Sequence, residues 1–98
     1  MLLTLFNKRK MNAVFNQIRD ILYKNYCINF DEIELEAEFE LELGLDSRDF
    51  FELVEDFEEI FKIDLFFDDL TEIITIQDAV LYIEKKISEQ SNIMRNEI

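Results

Sequence analysis

The chain has 98 residues, of which 49% are hydrophobic and 34% are charged, and its net charge is −13. This length and apolar content fit one small globular domain and leave no room for two separate cores. The negative charge argues against binding to nucleic acid or to an anionic membrane surface, and it favours protein partners with basic docking patches.

The acidic residues are concentrated in the middle of the chain. Residues 31–72 hold 18 acidic residues against Arg48 and Lys62, whereas the first 30 residues hold five basic residues against Asp20. The single cysteine, Cys27, leaves no internal disulfide, so nothing indicates an oxidising compartment. No apolar run approaches the roughly 20 residues of a membrane span. We therefore expect a cytoplasmic protein that does not insert into a membrane.

The first periodic segment runs from about Met11 to Asn25. Its apolar residues recur at intervals of three and four, which predicts an amphipathic helix. We expect residues 1–10 to form a disordered or frayed extension ahead of a domain spanning residues 11–88. Residues 89–98, which lose the periodicity, are expected to form a frayed tail.

The next segment, Glu32 to Leu43, alternates acidic and apolar residues without a break. A period of two is typical of a strand. The chain contains no second alternating run to pair with it, however, and a lone strand is not stable. We interpret the segment as a long ordered loop pinned by Ile33, Phe39 and Leu43, with at most a short helix near residues 37–43.

A second helix is predicted from about Ser47 to Phe61. Asp46 is expected to cap it, and Asp49, three residues on, to complete a capping-box-like pair. Ser47 then lies at the mouth of the helix, where free N–H groups and the helix dipole favour a bound phosphate. The chain has no histidine, and the neighbouring Arg48 cannot act as a base at neutral pH. We therefore interpret Ser47 as an attachment point and expect a protein that is not an enzyme.

Two further elements follow the second helix. A short helical turn is predicted over Asp68 to Ile73. The last helix is predicted to begin after Thr75, a good N-cap with Asp78 three residues later. The elements together predict an all-α fold with three main helices, one short helix and a long first loop.

Four stretches of the sequence resemble the acyl carrier protein family, over nearly all of residues 12–87. They read L-G-L-D-S-R-D from Leu43, F-F-E-L-V-E-D-F-E-E-I-F from Phe50, K-I-D-L, and I-I-T-I-Q-D-A-V-L-Y-I. The resemblance implies a four-helix bundle in which Ser47 carries 4′-phosphopantetheine, transferred from coenzyme A by a phosphopantetheinyl transferase. It also implies a carrier, expected to be monomeric, that presents acyl thioesters to acyl-transferring and chain-elongating enzymes of fatty-acid, lipid or polyketide-type biosynthesis.

The resemblance also assigns roles to single residues. Asp46 matches the acid that precedes the serine and helps the transferase to engage. The residues expected to dock partner enzymes are Asp49, Glu52, Glu58 and Glu59, with Arg48 and Glu55 standing where the family often has apolar docking residues. From these two departures we infer a specialised carrier with a dedicated set of partners. The residues expected to line or fill an acyl pocket are Phe50, Phe51, Val54, Phe57, Ile73 and Ala79, and so many phenylalanines could leave a smaller cavity.

Other functions remain to be weighed. A D-alanyl or other aminoacyl carrier of the same fold is the main alternative. A calcium sensor or another acidic binding module fits less well, because a calcium loop needs acids at alternate positions around a central glycine. The acids that follow Asp46 and Asp64 do not continue in that pattern.

Overall fold

The computed structural model of the chain describes the backbone of residues 2–96 and the side chains of residues 13–90. Its elements, in chain order, are α1 (Leu2–Tyr26), a first 3₁₀ segment (Phe30–Glu32), α2 (Ser47–Phe61), a second 3₁₀ segment (Phe67–Glu72) and α3 (Ile76–Asn96). Within residues 2–96 there is no strand, only an isolated antiparallel bridge. The all-α prediction is confirmed, with the short helix appearing as the second 3₁₀ segment. The first 3₁₀ segment was not predicted.

The core forms where α1 and α3 pack along each other, and buried side chains of α2 belong to the same cluster. Its fully buried large side chains are Ile18 and Leu22 from α1, Leu53 from α2, and Ile76, Val80 and Ile83 from α3. Burying an aliphatic side chain of this size stabilises the folded state by about 1.5–3 kcal/mol. No helix in the part of the chain that the structure describes is long and apolar enough to cross a membrane.

The outer helices are longer than their apolar periodicity predicted. α1 begins at Leu2 instead of about Met11, and α3 continues to Asn96 instead of ending near Ser88. The chain has no proline and its one glycine is Gly44, so no residue in either terminal segment breaks a helix. The side chains of residues 1–12 and 91–98 lie outside the described residues, so the domain boundaries after residues 10 and 88 stay predictions.

The alternating segment is an ordered loop, and it finds a partner just ahead of α3. The Phe39 N–H donates to the Ile74 carbonyl at 3.0 Å, and the Ile76 N–H donates to the Ala37 carbonyl at 3.0 Å. An isolated bridge between Glu38 and Thr75 lies between these bonds. The sequence argument against a full strand therefore holds, but it missed this short pairing because residues 74–76 carry no alternating pattern.

Buried side chains hold the same loop against the helices. Ile33 and Phe39 are buried as predicted, and Leu43 is half-buried. Ala37 and Leu45 are buried as well, which the sequence did not indicate. Residues 39–43 form turns, and no helix is present within residues 37–43.

Candidate functional site

The start of α2 is fixed by the predicted capping box. Asp46 is the N-cap, with an extended backbone, and its Oδ1 accepts a hydrogen bond from the Asp49 N–H at 2.8 Å. In return the Asp46 N–H donates to Asp49 Oδ2 at 3.4 Å. The two reciprocal bonds satisfy donors that a bare helix end would leave free, so the direction of the first turn is set.

The loop before the cap is held by Gly44 and Leu45. Gly44 has a φ of +73°, a conformation that strains residues with a side chain. The turn at Gly44 lets the Leu45 N–H donate to the Phe39 carbonyl at 3.0 Å and lets the Leu45 side chain enter the core. The Leu-Gly-Leu sequence thus places Asp46 and the start of α2 at a fixed point on the surface.

Ser47 is the first residue of α2 and its side chain is exposed. Among the described residues, the backbone N–H groups of Ser47 and Arg48 have no hydrogen-bond partner, whereas the Phe50 N–H donates to the Asp46 carbonyl at 2.9 Å. Two free donors and the positive end of the helix dipole therefore lie beside an accessible hydroxyl. This arrangement fits a phosphate ester on the Ser47 oxygen.

A cavity of about 620 Å³ opens beside Ser47. This volume lies within the range of small-molecule sites in proteins. Its wall comes from the first loop, the start of α2 and the segment around the second 3₁₀ turn. The lining residues are Glu38, Phe39, Glu40, Leu41, Leu45, Asp46, Ser47, Phe50, Phe51, Phe67, Leu70, Thr71, Ile73 and Ile74.

The structure divides the residues expected in the acyl pocket into two groups. Phe50, Phe51 and Ile73 lie on the cavity wall. Val54, Phe57 and Ala79 are buried in the core and do not line the cavity. Apolar residues that recur at helical spacing are expected to face inward, but this spacing does not tell a side chain packed in the core from one on a cavity wall. The phenylalanines therefore do not fill the cavity: Phe57 packs in the core, while others form the wall.

The residues expected to dock partners also divide. Arg48, Glu52, Glu55 and Glu59 are exposed, and Asp49 and Glu58 are half-buried. The Asp49 carboxylate takes part in the capping box, and Glu58 Oε2 accepts a hydrogen bond from the Leu65 N–H at 3.0 Å. Two of the six residues therefore already have partners within the fold.

Three side chains of α3 hold the segment that follows α2. The Tyr82 hydroxyl donates to Asp69 Oδ2, and the Gln90 amide donates to the Lys62 carbonyl at 2.7 Å. The Lys86 ammonium lies 4.2 Å from the centre of the Phe66 ring, a cation–π contact. Burial, together with the bond to Asp69, raises the pKa of Tyr82 to about 12, so this hydroxyl stays a donor at neutral pH.

A similar side-chain hydrogen bond joins the end of α1 to α2. The Tyr26 hydroxyl donates to Asp56 Oδ2 at 3.1 Å. Burial raises the pKa of Tyr26, and the neighbouring Asp56 carboxylate raises it further. The sequence did not indicate this contact, because the two residues lie 30 positions apart.

The acidic surface of α2 is largely without counter-charges. Among residues 13–90 one ion pair forms, between Lys86 and Glu89 of α3 at 3.8 Å. Arg48 forms none with a described residue, although it is the one basic residue of α2. The exposed face of α2 thus offers uncompensated carboxylates and, next to Ser47, one cation.

Comparisons with known proteins agree with this geometry. The model of a family described as "Phosphopantetheine attachment site" matches residues 16–83. The chain is 36% identical over 73 residues to an acyl carrier protein of Campylobacter concisus, covering 74% of this chain and 95% of that protein. It is 35% identical over 74 residues to one of Bdellovibrio bacteriovorus, covering 76% and 95%. The fold is similar to the crystal structure of an acyl carrier protein from Thermotoga maritima, with a TM-score of 0.74 and 24% identity over 82% of this chain and 93% of that one.

Proposed function

The chain belongs to the acyl carrier protein family, and on that premise we propose that Ser47 is the residue that bears its 4′-phosphopantetheine. The chain is a carrier of acyl intermediates, and its covalently attached prosthetic group supplies the thiol on which they are held as thioesters. One observation carries the assignment to Ser47. Ser47 is exposed at the mouth of α2, where the N–H groups of Ser47 and Arg48 are free among the described residues, and it is part of the cavity wall.

Each part of the site has a role that follows from its chemistry. The Asp46–Asp49 capping box holds the first turn of α2 in place. The N–H groups of Ser47 and Arg48 and the helix dipole stabilise the negative charge of the phosphodiester. The apolar part of the cavity wall can cover part of an apolar cargo and so reduce its contact with water.

We propose that the chain is a carrier without catalytic activity of its own. The chain contains no histidine, and an arginine side chain cannot act as a base at neutral pH. The carboxylates nearest to Ser47 in sequence, those of Asp46 and Asp49, are hydrogen-bonded in the capping box, which supports the proposal. Proton transfer during loading and acyl transfer then falls to the partner enzymes, among them the phosphopantetheinyl transferase that the carrier role implies. We place this monomeric carrier in the cytoplasm and in fatty-acid, lipid or polyketide-type biosynthesis.

The docking face that we propose is the exposed side of α2. Glu52, Glu55 and Glu59 offer carboxylates to basic patches, and Arg48 offers a cation next to the loaded serine. Ion pairs at such exposed positions contribute about 1 kcal/mol or less each and weaken with salt. They steer the encounter with a partner more than they fix its affinity. Arg48 and Glu55 place charges where the family often has apolar docking residues, and this difference supports a dedicated set of partners.

Intact mass tests the attachment site. The apo protein is incubated with coenzyme A, Mg²⁺ and a broad-specificity phosphopantetheinyl transferase, and it is then weighed. We expect one phosphopantetheine on the wild type and none on Ser47→Ala. Ser88→Ala removes another exposed serine, on α3, and is expected to load like the wild type. No gain in mass for the wild type, or a gain for Ser47→Ala, would contradict the proposal.

A further inference from the structure

Two phenylalanine rings meet at one side of the cavity. The rings of Phe51, on α2, and Phe67, on the second 3₁₀ segment, stack with their centres 5.5 Å apart and their planes 16° apart. Both line the cavity. Ser47 and Phe51 are four residues apart on α2, so the stack begins one helical turn from the attachment serine and on the same helix face.

Both rings of the stack are exposed to solvent. Phe51 is 42% exposed and Phe67 is 68% exposed, so neither ring is anchored in the core. The 3₁₀ segment that carries Phe67 contains no buried residue. Its position therefore depends on contacts between partly exposed side chains, among them the ring stack and the Tyr82–Asp69 hydrogen bond.

A second pair of phenylalanine rings on the cavity wall is held differently. The rings of Phe39 and Phe50 also meet there, with centres 5.6 Å apart, but Phe39 is only 2% exposed. Packed interiors resist deformation, whereas a contact between exposed side chains can open. A cargo that needs more room is thus expected to displace Phe67 before it displaces Phe39.

From these observations, and resting on the proposed attachment at Ser47, we propose that the Phe51–Phe67 stack is the specificity-determining wall of the cavity. It sets the upper length of the acyl chain that the cavity shelters. Chains up to that length fit with the rings stacked. Longer chains must separate the rings or leave their ends in water, so further methylene groups add little stabilisation.

The test measures how the thermal stability of loaded protein depends on chain length. Wild type, Phe67→Ala, Phe51→Ala and Phe66→Ala are each loaded from straight-chain acyl-coenzyme A, in steps from butyryl to palmitoyl, and loading is verified by intact mass. Phe66 is the matched control, because it is 60% exposed and adjacent to Phe67 but packs on Lys86 and does not line the cavity. The readout is the melting temperature of each acyl form minus that of the form carrying the free thiol.

We expect this difference to rise with chain length in the wild type and then to level off. The levelling point should move to a longer chain in Phe67→Ala and Phe51→Ala and stay unchanged in Phe66→Ala. A wild type without a levelling point, or a levelling point that Phe67→Ala leaves in place, would overturn the inference. An equal shift in Phe66→Ala would also overturn it, since general loosening of the segment would then be the cause. Failure of all four proteins to take up any acyl group would instead contradict the attachment at Ser47, and the inference would fall with it.

Discussion

Glu58 provides a direct test of whether an acid of α2 serves the fold or the docking face. Its Oε2 accepts the Leu65 N–H at 3.0 Å in a half-buried position, which ties α2 to the loop that leads to the second 3₁₀ segment. A hydrogen bond to a charged group contributes about 1.5–3 kcal/mol, and partial exposure to solvent lowers that figure. We therefore expect Glu58→Ala to lower the free energy of unfolding by about 1–2 kcal/mol.

Two variants isolate the cause of that loss. Glu59→Ala removes the same charge and makes the same change in helix propensity at the next position, which is exposed and has no hydrogen bond from the loop. It is expected to change the free energy of unfolding by less than about 0.5 kcal/mol. Glu58→Gln keeps an acceptor oxygen but removes the charge, so its loss should fall between those of the two alanine variants.

Urea unfolding followed by circular dichroism measures these differences. A small single domain of this kind is expected to unfold in one step, so the midpoint and slope give the free energy in water. If Glu58→Ala and Glu59→Ala agree within about 0.3 kcal/mol, the bond to Leu65 does not stabilise the fold and the reasoning is refuted. Glu58 would then be free to join the exposed carboxylates of the docking face.

Two further predictions concern pH and salt. Asp78 Oδ2 accepts the N–H groups of Thr75 and Ile74, each at 3.0 Å, and the pKa of its carboxyl is lowered chiefly by the bond from Thr75. The charged form therefore stabilises the fold fully above pH 3.8, the ordinary pKa of this group, and the gain is lost as pH falls through the lower folded pKa. Asp78→Asn should lower the free energy of unfolding by about 1 kcal/mol at neutral pH. Urea unfolding at several pH values should show that the difference between variant and wild type shrinks below pH 3.8. A difference that stays constant with pH would contradict this role. Because carboxylates greatly outnumber cations in residues 31–72, the melting temperature should rise from low to moderate salt, and a flat profile would show that their repulsion is unimportant.

Features encoded within a few residues could be predicted from the sequence. The Asp46–Asp49 capping box and the bonds between Thr75 and Asp78 depend on side chains three positions apart, and both form. The position of Ser47 at a helix mouth follows from the same local signals. Such features need no knowledge of how the helices pack.

Features that depend on how distant segments meet could not be predicted in this way. Phe67 ends a short apolar run, residues 65–67, that shows no helical or strand periodicity, and only the fold brings its ring against Phe51. The loop pairing at Glu38 and Thr75 joins residues far apart in the chain, without a repeating pattern at the second of them. Phe50 and Phe57 are both apolar residues of the predicted α2 helix, and the sequence alone does not distinguish them. In the fold Phe57 is buried in the core, whereas Phe50 lines the cavity.

Hydrogen bonds within the fold also affect which of the many acidic residues are free to contact a partner. Composition suggests one acidic surface that is available to partners, but several carboxylates are hydrogen-bonded within the fold. Those with an internal partner are Glu42, Asp46, Asp49, Asp56, Glu58, Asp69 and Asp78. A carboxylate held by an internal hydrogen bond is less free to turn towards a basic residue of a partner, whereas Glu52, Glu55 and Glu59 are not held in this way. The docking face that we propose, along the exposed side of α2 between Arg48 and the end of that helix, is therefore narrower than the net charge implies.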